Sequence, residues 1–154
     1  MLIFEHNFTV NAPLEQVVNF HRDSHILKRL TPPPLIMQIH RFEPLAENSI
    51  ANFTLWFGPL PIHWVAVHVN VDFPHSFTDI QHQGPLKYWR HTHAFIPIGD
   101  SLTRVNDTIK FEHHAGLKGL LSRLLFPKPA LKTLFSYRKA VTRWMLESSA
   151  TVNE

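Results

Sequence analysis

Residues 77–95 read Phe-Thr-Asp-Ile-Gln-His-Gln-Gly-Pro-Leu-Lys-Tyr-Trp-Arg-His-Thr-His-Ala-Phe. Gly84-Pro85 supplies a short turn, and its flanks read as two strands. Side chains on a strand alternate between faces, so odd and even positions separate. The odd set holds Phe77, Asp79, Gln81, Trp89, His91, His93 and Phe95; the even set holds Thr78, Ile80, His82, Tyr88, Arg90, Thr92 and Ala94. The odd set carries the largest aromatics and is assigned to the interior. A carboxylate, an amide and two imidazoles then sit among apolar neighbours, where polar groups cost free energy unless they are paired. Such a cluster is either a self-satisfied network or the polar floor of a pocket.

The two-residue period continues on both sides. Downstream, a strand over about 102–113 places Val105, Asp107, Ile109 and Phe111 inward. Upstream, His63, Val65, Val67, Val69 and Val71 oppose Trp64, Ala66, His68, Asn70 and Asp72, and the alternation leaves open which set faces in. Before Gly58-Pro59 lie Ala51, Phe53, Leu55 and Phe57, read as an inward face, and Leu35, Met37 and Ile39 begin another strand. Residues 2–10 alternate cleanly as a half-buried strand. Leu14, Val17, Val18 and His21 follow at helical spacing after Pro13, which suits a first helical turn. A short helix at about 24–30 takes Ser24 as its N-cap, and Thr31-Pro32-Pro33-Pro34 then forces an extended linker. The last third is helical. A short amphipathic piece at 117–126 precedes the Pro127-Lys128-Pro129 break, and a helix at about 130–148 carries Leu131, Leu134, Phe135, Arg138, Val141, Thr142 and Met145 on one stripe. Residues 149–154 read as a frayed tail.

Composition narrows the function classes. A chain of 154 residues with 44% hydrophobic and 18% charged residues fits one globular domain, placed at 1–148. It has no cysteine, which excludes disulfides and thiolate chemistry and accords with a cytoplasmic location. No apolar run reaches the roughly 18 residues of a membrane span, and residues after Met1 lack a signal-peptide pattern. The net charge is +3, and Lys118, Arg123, Lys128, Lys132, Arg138, Lys139 and Arg143 concentrate much of the excess near the C-terminus. They read as a solvated helix face, with transient contact to an anionic membrane as the alternative. No nucleic-acid motif accompanies them, so nucleic acid is excluded as a partner. No Gly-x-Gly-x-x-Gly, Walker loop or nucleophile elbow is present, and no cofactor is assigned.

One strand, two small helices, a curved antiparallel sheet of about seven strands and a long closing helix is the order of the α+β helix-grip fold. The chain resembles the START-like, or SRPBCC, superfamily. The residues that carry the resemblance are Ala12-Pro13, Leu30-Thr31-Pro32-Pro33, and Phe77-x-Asp79-x-Gln81-x-x-Gly84-Pro85-x-x-x-Trp89-x-His91-x-His93-x-Phe95, with Asp107 and Tyr137-Arg138. It is most similar to a polyketide cyclase/dehydratase-like, ligand-binding subgroup, some of whose members are fused to a sugar-nucleotide-epimerase-like reductase domain. The resemblance implies a cavity between sheet and long helix. It also implies association with a reductase or epimerase-like protein, but fixes no reaction, because one scaffold hosts binders, transporters and enzymes.

The turn lengths bring Asp79 and Asp107 each opposite His91 or His93. These four are the candidate catalytic residues, as a general acid/base pair able to enolise or dehydrate a carbonyl compound. A structural network that holds the strands in register is the alternative. Two same-face imidazoles and a carboxylate also have zinc-ligand chemistry. That spacing is common on strands and the aspartates serve equally to orient the rings, so no metal is assigned. Phe53, Phe57, Phe77, Trp89, Phe95 and Phe111, with Gln81 and Arg138, are the candidate ligand-binding residues. The expected role is binding, or transport, of a small hydrophobic ligand such as a lipid, isoprenoid, polyketide or aromatic metabolite. An enzyme of cyclase/dehydratase type is the rival, and segment 117–126 is expected to cover the pocket mouth.

Overall fold

The alternating residues of Leu2–Val10 form strand β1, and the computed structural model continues it into a single seven-stranded sheet. Residues 1–148 are described; the tail expected at 149–154 lies outside them. After β1 come α1 (Leu14–Arg22), α2 (Ser24–Arg29), β2 (Ile36–Phe42), β3 (Ile50–Phe57), β4 (Leu60–Asp72), β5 (Ser76–Gln83), β6 (Tyr88–Gly99), β7 (Leu102–Glu112), α3 (Lys118–Leu125) and α4 (Lys128–Ser148). Strand order is β1-β7-β6-β5-β4-β3-β2, antiparallel throughout. The α1–α2 crossover joins the two edge strands, β1 and β2.

Curvature has a local cause. β4 shifts register against β5 at Val65/Ala66 and again at Val69/Asp72, where Asn70 adopts a left-handed φ of 52°. Bulges of this kind bend a strand, and asparagine tolerates that backbone better than most residues. The bent sheet wraps α4, whose buried Leu131 and Phe135 pack on Ile109, Phe111, Trp64 and Ala66. A second cluster joins α1 (Val17, Val18) to Phe8, Val10, Phe77, Phe95 and Val105. Each such large side chain contributes about 1.5–3 kcal/mol by leaving water. A third cluster, Phe20, Ile26 and Leu30 with Val141 and Met145, fastens α2 to the far end of α4.

Three boundaries differ from the sequence expectation. Asp23, not Ser24, caps α2, its Oδ1 accepting the His25 N–H at 2.8 Å. The proline run turns instead of extending, because Leu35 N–H reaches back to the Pro32 carbonyl at 3.0 Å. The long helix starts at Lys128, two residues before the expected start, since Pro129 falls in the first turn, where its missing N–H has no partner to lose.

Candidate functional site

Three neighbouring strands position the polar cluster. Register pairs Asp79 on β5 with His91 on β6, and His93 on β6 with Asp107 on β7. Because His91 and His93 are two apart, their rings stand side by side on the inner face, centroids 3.8 Å apart. Each ring lies between the two carboxylates. His91 Nδ1 is 3.3 Å from Asp79 Oδ2 and its Nε2 is 3.0 Å from Asp107 Oδ1. His93 Nε2 is 3.5 Å from Asp79 Oδ2 and its Nδ1 is 2.9 Å from Asp107 Oδ1. Only the bond between His91 Nε2 and Asp107 is well aligned; His93 Nδ1 is close to its carboxylate yet not directed at it, and stays without a hydrogen bond.

Charge is balanced across the cluster. Burial works to raise the Asp107 and Asp79 carboxyls, but the close ring nitrogens and charge of His91 and His93 hold both well below the usual carboxylate range. Burial opposes an imidazolium at His93, but Asp107 and Asp79 outweigh it and lift its pKa to about 9. The Arg138 guanidinium is drawn down by burial and back up by Asp107 and Asp79. It donates from Nε to the Leu30 carbonyl at 3.3 Å and lies over the Phe135 ring at 5.1 Å. Two carboxylates therefore face one imidazolium and one guanidinium.

This cluster forms one wall of a cavity of about 470 Å³ between sheet and α4. The remaining walls are apolar, built from Met37, Phe42, Phe53, Phe57, Trp64, Trp89, Phe126 and Leu134 among others. Of the expected site residues, Asp79, His91, His93, Phe53, Phe57, Phe77, Trp89 and Arg138 line the cavity. Asp107 stands behind the imidazoles, on the side of them away from Asp79. Three others are corrected. Gln81 does not line the cavity; its amide is spent on the 84–87 turn, donating to the Leu86 carbonyl at 2.7 Å and accepting from Leu86 N–H at 3.3 Å. A Cβ at Gly84 would lie 2.5 Å from that Gln81 Oε1, so a larger residue there would push the Gln81 amide out of the turn. Phe95 is consumed by packing on His21 and Phe77, and Phe111 by packing on Trp89.

Two histidines missing from the expected site join it. His68, buried on the inner face of β4 beside Trp64 and Ala66, brings Nε2 to 3.8 Å from Asp79 Oδ1. His21, on α1, donates from Nδ1 to the Val17 carbonyl at 2.7 Å, and its ring centroid is 6.2 Å from that of His93. Burial lowers its pKa to about 4, so it offers the cavity a neutral ring. His21 stands at the end of the Leu14, Val17, Val18 stripe, and that position was its one sequence signal. Segment 117–126 divides: Leu125 and Phe126 line the cavity, while Leu117, Leu120 and Leu124 of the same segment are exposed.

No protein-family model matches the chain, and no curated protein matches its sequence. Solved structures do match its shape. A START superfamily protein from Mycobacterium smegmatis is 12% identical, with a TM-score of 0.70 over 95% of this chain and 97% of its own. Norcoclaurine synthase from Thalictrum flavum, solved with dopamine and hydroxybenzaldehyde, is 15% identical, with a TM-score of 0.64 over 95% of this chain and 87% of its own. A nucleoside-diphosphate sugar epimerase from Corynebacterium glutamicum is 24% identical, with a TM-score of 0.71; it covers 96% of this chain, which spans only 29% of the epimerase. The chain therefore shares the helix-grip fold of these structures, a curved antiparallel sheet closed by a long helix. No helix among the described residues is long and apolar enough to cross a membrane.

Proposed function

We propose that this protein binds a small, mainly apolar ligand bearing one polar head, and releases it unchanged. One observation carries the reading: the cavity of about 470 Å³ is apolar except where Asp79, His91, His93, His68, His21 and Arg138 meet. That volume suits a ligand of drug-like size, and a few convergent polar groups in an apolar pocket fix a ligand's orientation. A fatty acid, isoprenoid, polyketide or aromatic carbonyl has the required shape. The acid/base reading, a cyclase/dehydratase-type enzyme, is supported by the cavity-facing position of Asp79, His91 and His93. Transient contact with an anionic bilayer during exchange is supported by the exposed leucines of α3 beside Lys118 and Arg123. Association with an epimerase-like protein is supported by the match to one part of the Corynebacterium glutamicum enzyme.

Gently purified protein is expected to carry one ligand per chain in native mass spectrometry. Emptied protein should take up a medium-chain fatty acid from anionic vesicles faster than from neutral ones. Binding should quench tryptophan fluorescence, since Trp64 and Trp89 both line the cavity. A ligand recovered with altered mass after incubation would move the reading to the enzyme. A protein that carries nothing and shows no tryptophan response would remove the binding function.

A further inference from the structure

We propose that Asp79, His91 and His93 form a site for one divalent transition-metal ion of the zinc type, open toward the cavity. The inference does not rest on the organic ligand, since an ion can occupy the site without one. His91 Nδ1 and His93 Nε2 converge on the same carboxylate oxygen, Asp79 Oδ2, at 3.3 and 3.5 Å. Neither contact has hydrogen-bond geometry. A tetrahedral zinc ion with bonds of about 2.0–2.1 Å separates its donors by about 3.3–3.4 Å, close to the 3.3 and 3.5 Å at which the two nitrogens stand from Asp79 Oδ2. One donor atom from each of the three residues lies within 4.8 Å of the other two.

The far edge of the His91 ring fits the same reading, its Nε2 hydrogen-bonded to Asp107, while His93 Nδ1 lies close to that carboxylate without a directed bond. Metal-bound imidazoles are typically oriented by a carboxylate at their second nitrogen. Here a single oxygen, Asp107 Oδ1, lies 3.0 Å from His91 Nε2 and 2.9 Å from His93 Nδ1. His68 adds an independent observation. Its Nδ1 is 3.1 Å from the Ser49 carbonyl, which can only accept, so Nδ1 carries the proton. Its Nε2 stands 3.8 Å from Asp79 Oδ1, at the edge of the same group. Two imidazoles and a carboxylate suit zinc, cobalt or nickel rather than magnesium or calcium. A remaining coordination position would face the cavity.

The experiment is titration of chelator-treated protein with zinc chloride by calorimetry, with cobalt(II) as the spectroscopic probe. One equivalent is expected at a Kd of about 1 μM or tighter, and cobalt should give the intense visible absorption of a four-coordinate site. Asp79→Asn and His93→Gln should weaken binding by at least about 100-fold, and Asp107→Asn by about 10–100-fold. The chain has twelve histidines, and the His40–His63 pair, rings 5.9 Å apart, is the rival site. His63→Gln should therefore leave binding unchanged. Absence of stoichiometric binding overturns the proposal, as does binding lost in His63→Gln but kept in Asp79→Asn. Anomalous scattering from zinc-soaked wild-type crystals decides the location whatever the variants' folding: a peak among Asp79, His91 and His93 supports it, and peaks elsewhere or none overturn it.

Discussion

Asp107→Asn is expected to destabilise the fold by about 3 kcal/mol or more, lowering the melting temperature by roughly 10 °C for a domain of this size. Asparagine keeps the shape of the side chain, so the change removes charge without opening a hole. Asp107 is only 6% exposed and lies beside both ring nitrogens that point away from Asp79. Without its charge, His93 and Arg138 face one carboxylate instead of two, and the carboxamide cannot accept well from two imidazoles at once. Breaking a buried pair by removing one partner typically costs about 3–5 kcal/mol. Relief of carboxylate desolvation, and deprotonation of His93, place the expectation at the lower end. Asp79, at 21% side-chain exposure, has water as a substitute, so Asp79→Asn should cost clearly less. Thermal unfolding of both variants checks the order. A melting temperature for Asp107→Asn within about 2 °C of wild type would mean that the cluster does not hold these strands together.

The same groups set the pH profile of metal-free protein. His21, at about 4 when folded against 6.5 ordinarily, binds a proton more readily unfolded, so stability falls as pH drops from 6.5 toward 4. Asp79 and Asp107, both depressed, contribute stability above their ordinary value of 3.8 that is lost at still lower pH. His93 has the opposite sign. Raised to about 9, it contributes stability fully below 6.5 that fades as pH rises toward 9. Stability measured by urea titration should therefore peak near pH 6.5 and decline on both sides. A profile that keeps rising from pH 6.5 to 9 would contradict the His93 environment.

Filling the cavity is expected to produce the second large effect. Ala51 and Ala66 face each other in register on β3 and β4, and both line the cavity. Their small side chains leave the room that the surrounding aromatics enclose. Ala66→Phe should lower affinity for a medium-chain fatty acid by about 100-fold or more, equivalent to roughly 2.7 kcal/mol. In a filled core the same substitution would cost about 1–3 kcal/mol by overpacking. Here the ring enters open space, so stability should hold or rise. Fluorescence titration and thermal unfolding of one variant test both halves. Destabilisation with affinity unchanged would show that Ala66 belongs to a packed core and not to the ligand's space.

The inner face of the 77–95 hairpin was legible because alternation is strict there and Gly84-Pro85 fixes the turn. Turn lengths likewise placed Asp79 and Asp107 against His91 and His93, though not which faced which. Parity could say that Phe95, Phe111 and Gln81 point inward. It could not say which inward side chains meet open space, since that depends on how far the sheet bends away from α4. His68 was hidden for a different reason. Both faces of β4 are apolar enough to be a core face, and Val65, Val67 and Val69 sit on the outer one, while Val71, past the bulge, packs on the core. His21 was visible only as one member of a helical stripe, with nothing local to show that the stripe meets β6.

Among the described residues strand β1 pairs with β7 alone, with Leu2 opposite Phe111 and Val10 opposite Thr103. These contacts span about a hundred residues of chain, and closing a loop of that length is slow relative to the hairpins between β2 and β7. On a ribosome the first strand therefore waits, unpaired, until the seventh emerges, while the meander between them can zip up by neighbouring turns. Helix α4 leaves the exit tunnel later still. The chamber thus forms only after the meander, and until β7 emerges a nascent chain exposes the apolar faces of Phe4 and Phe8. Such a fold should depend on chaperone capture of β1 while that strand waits for β7.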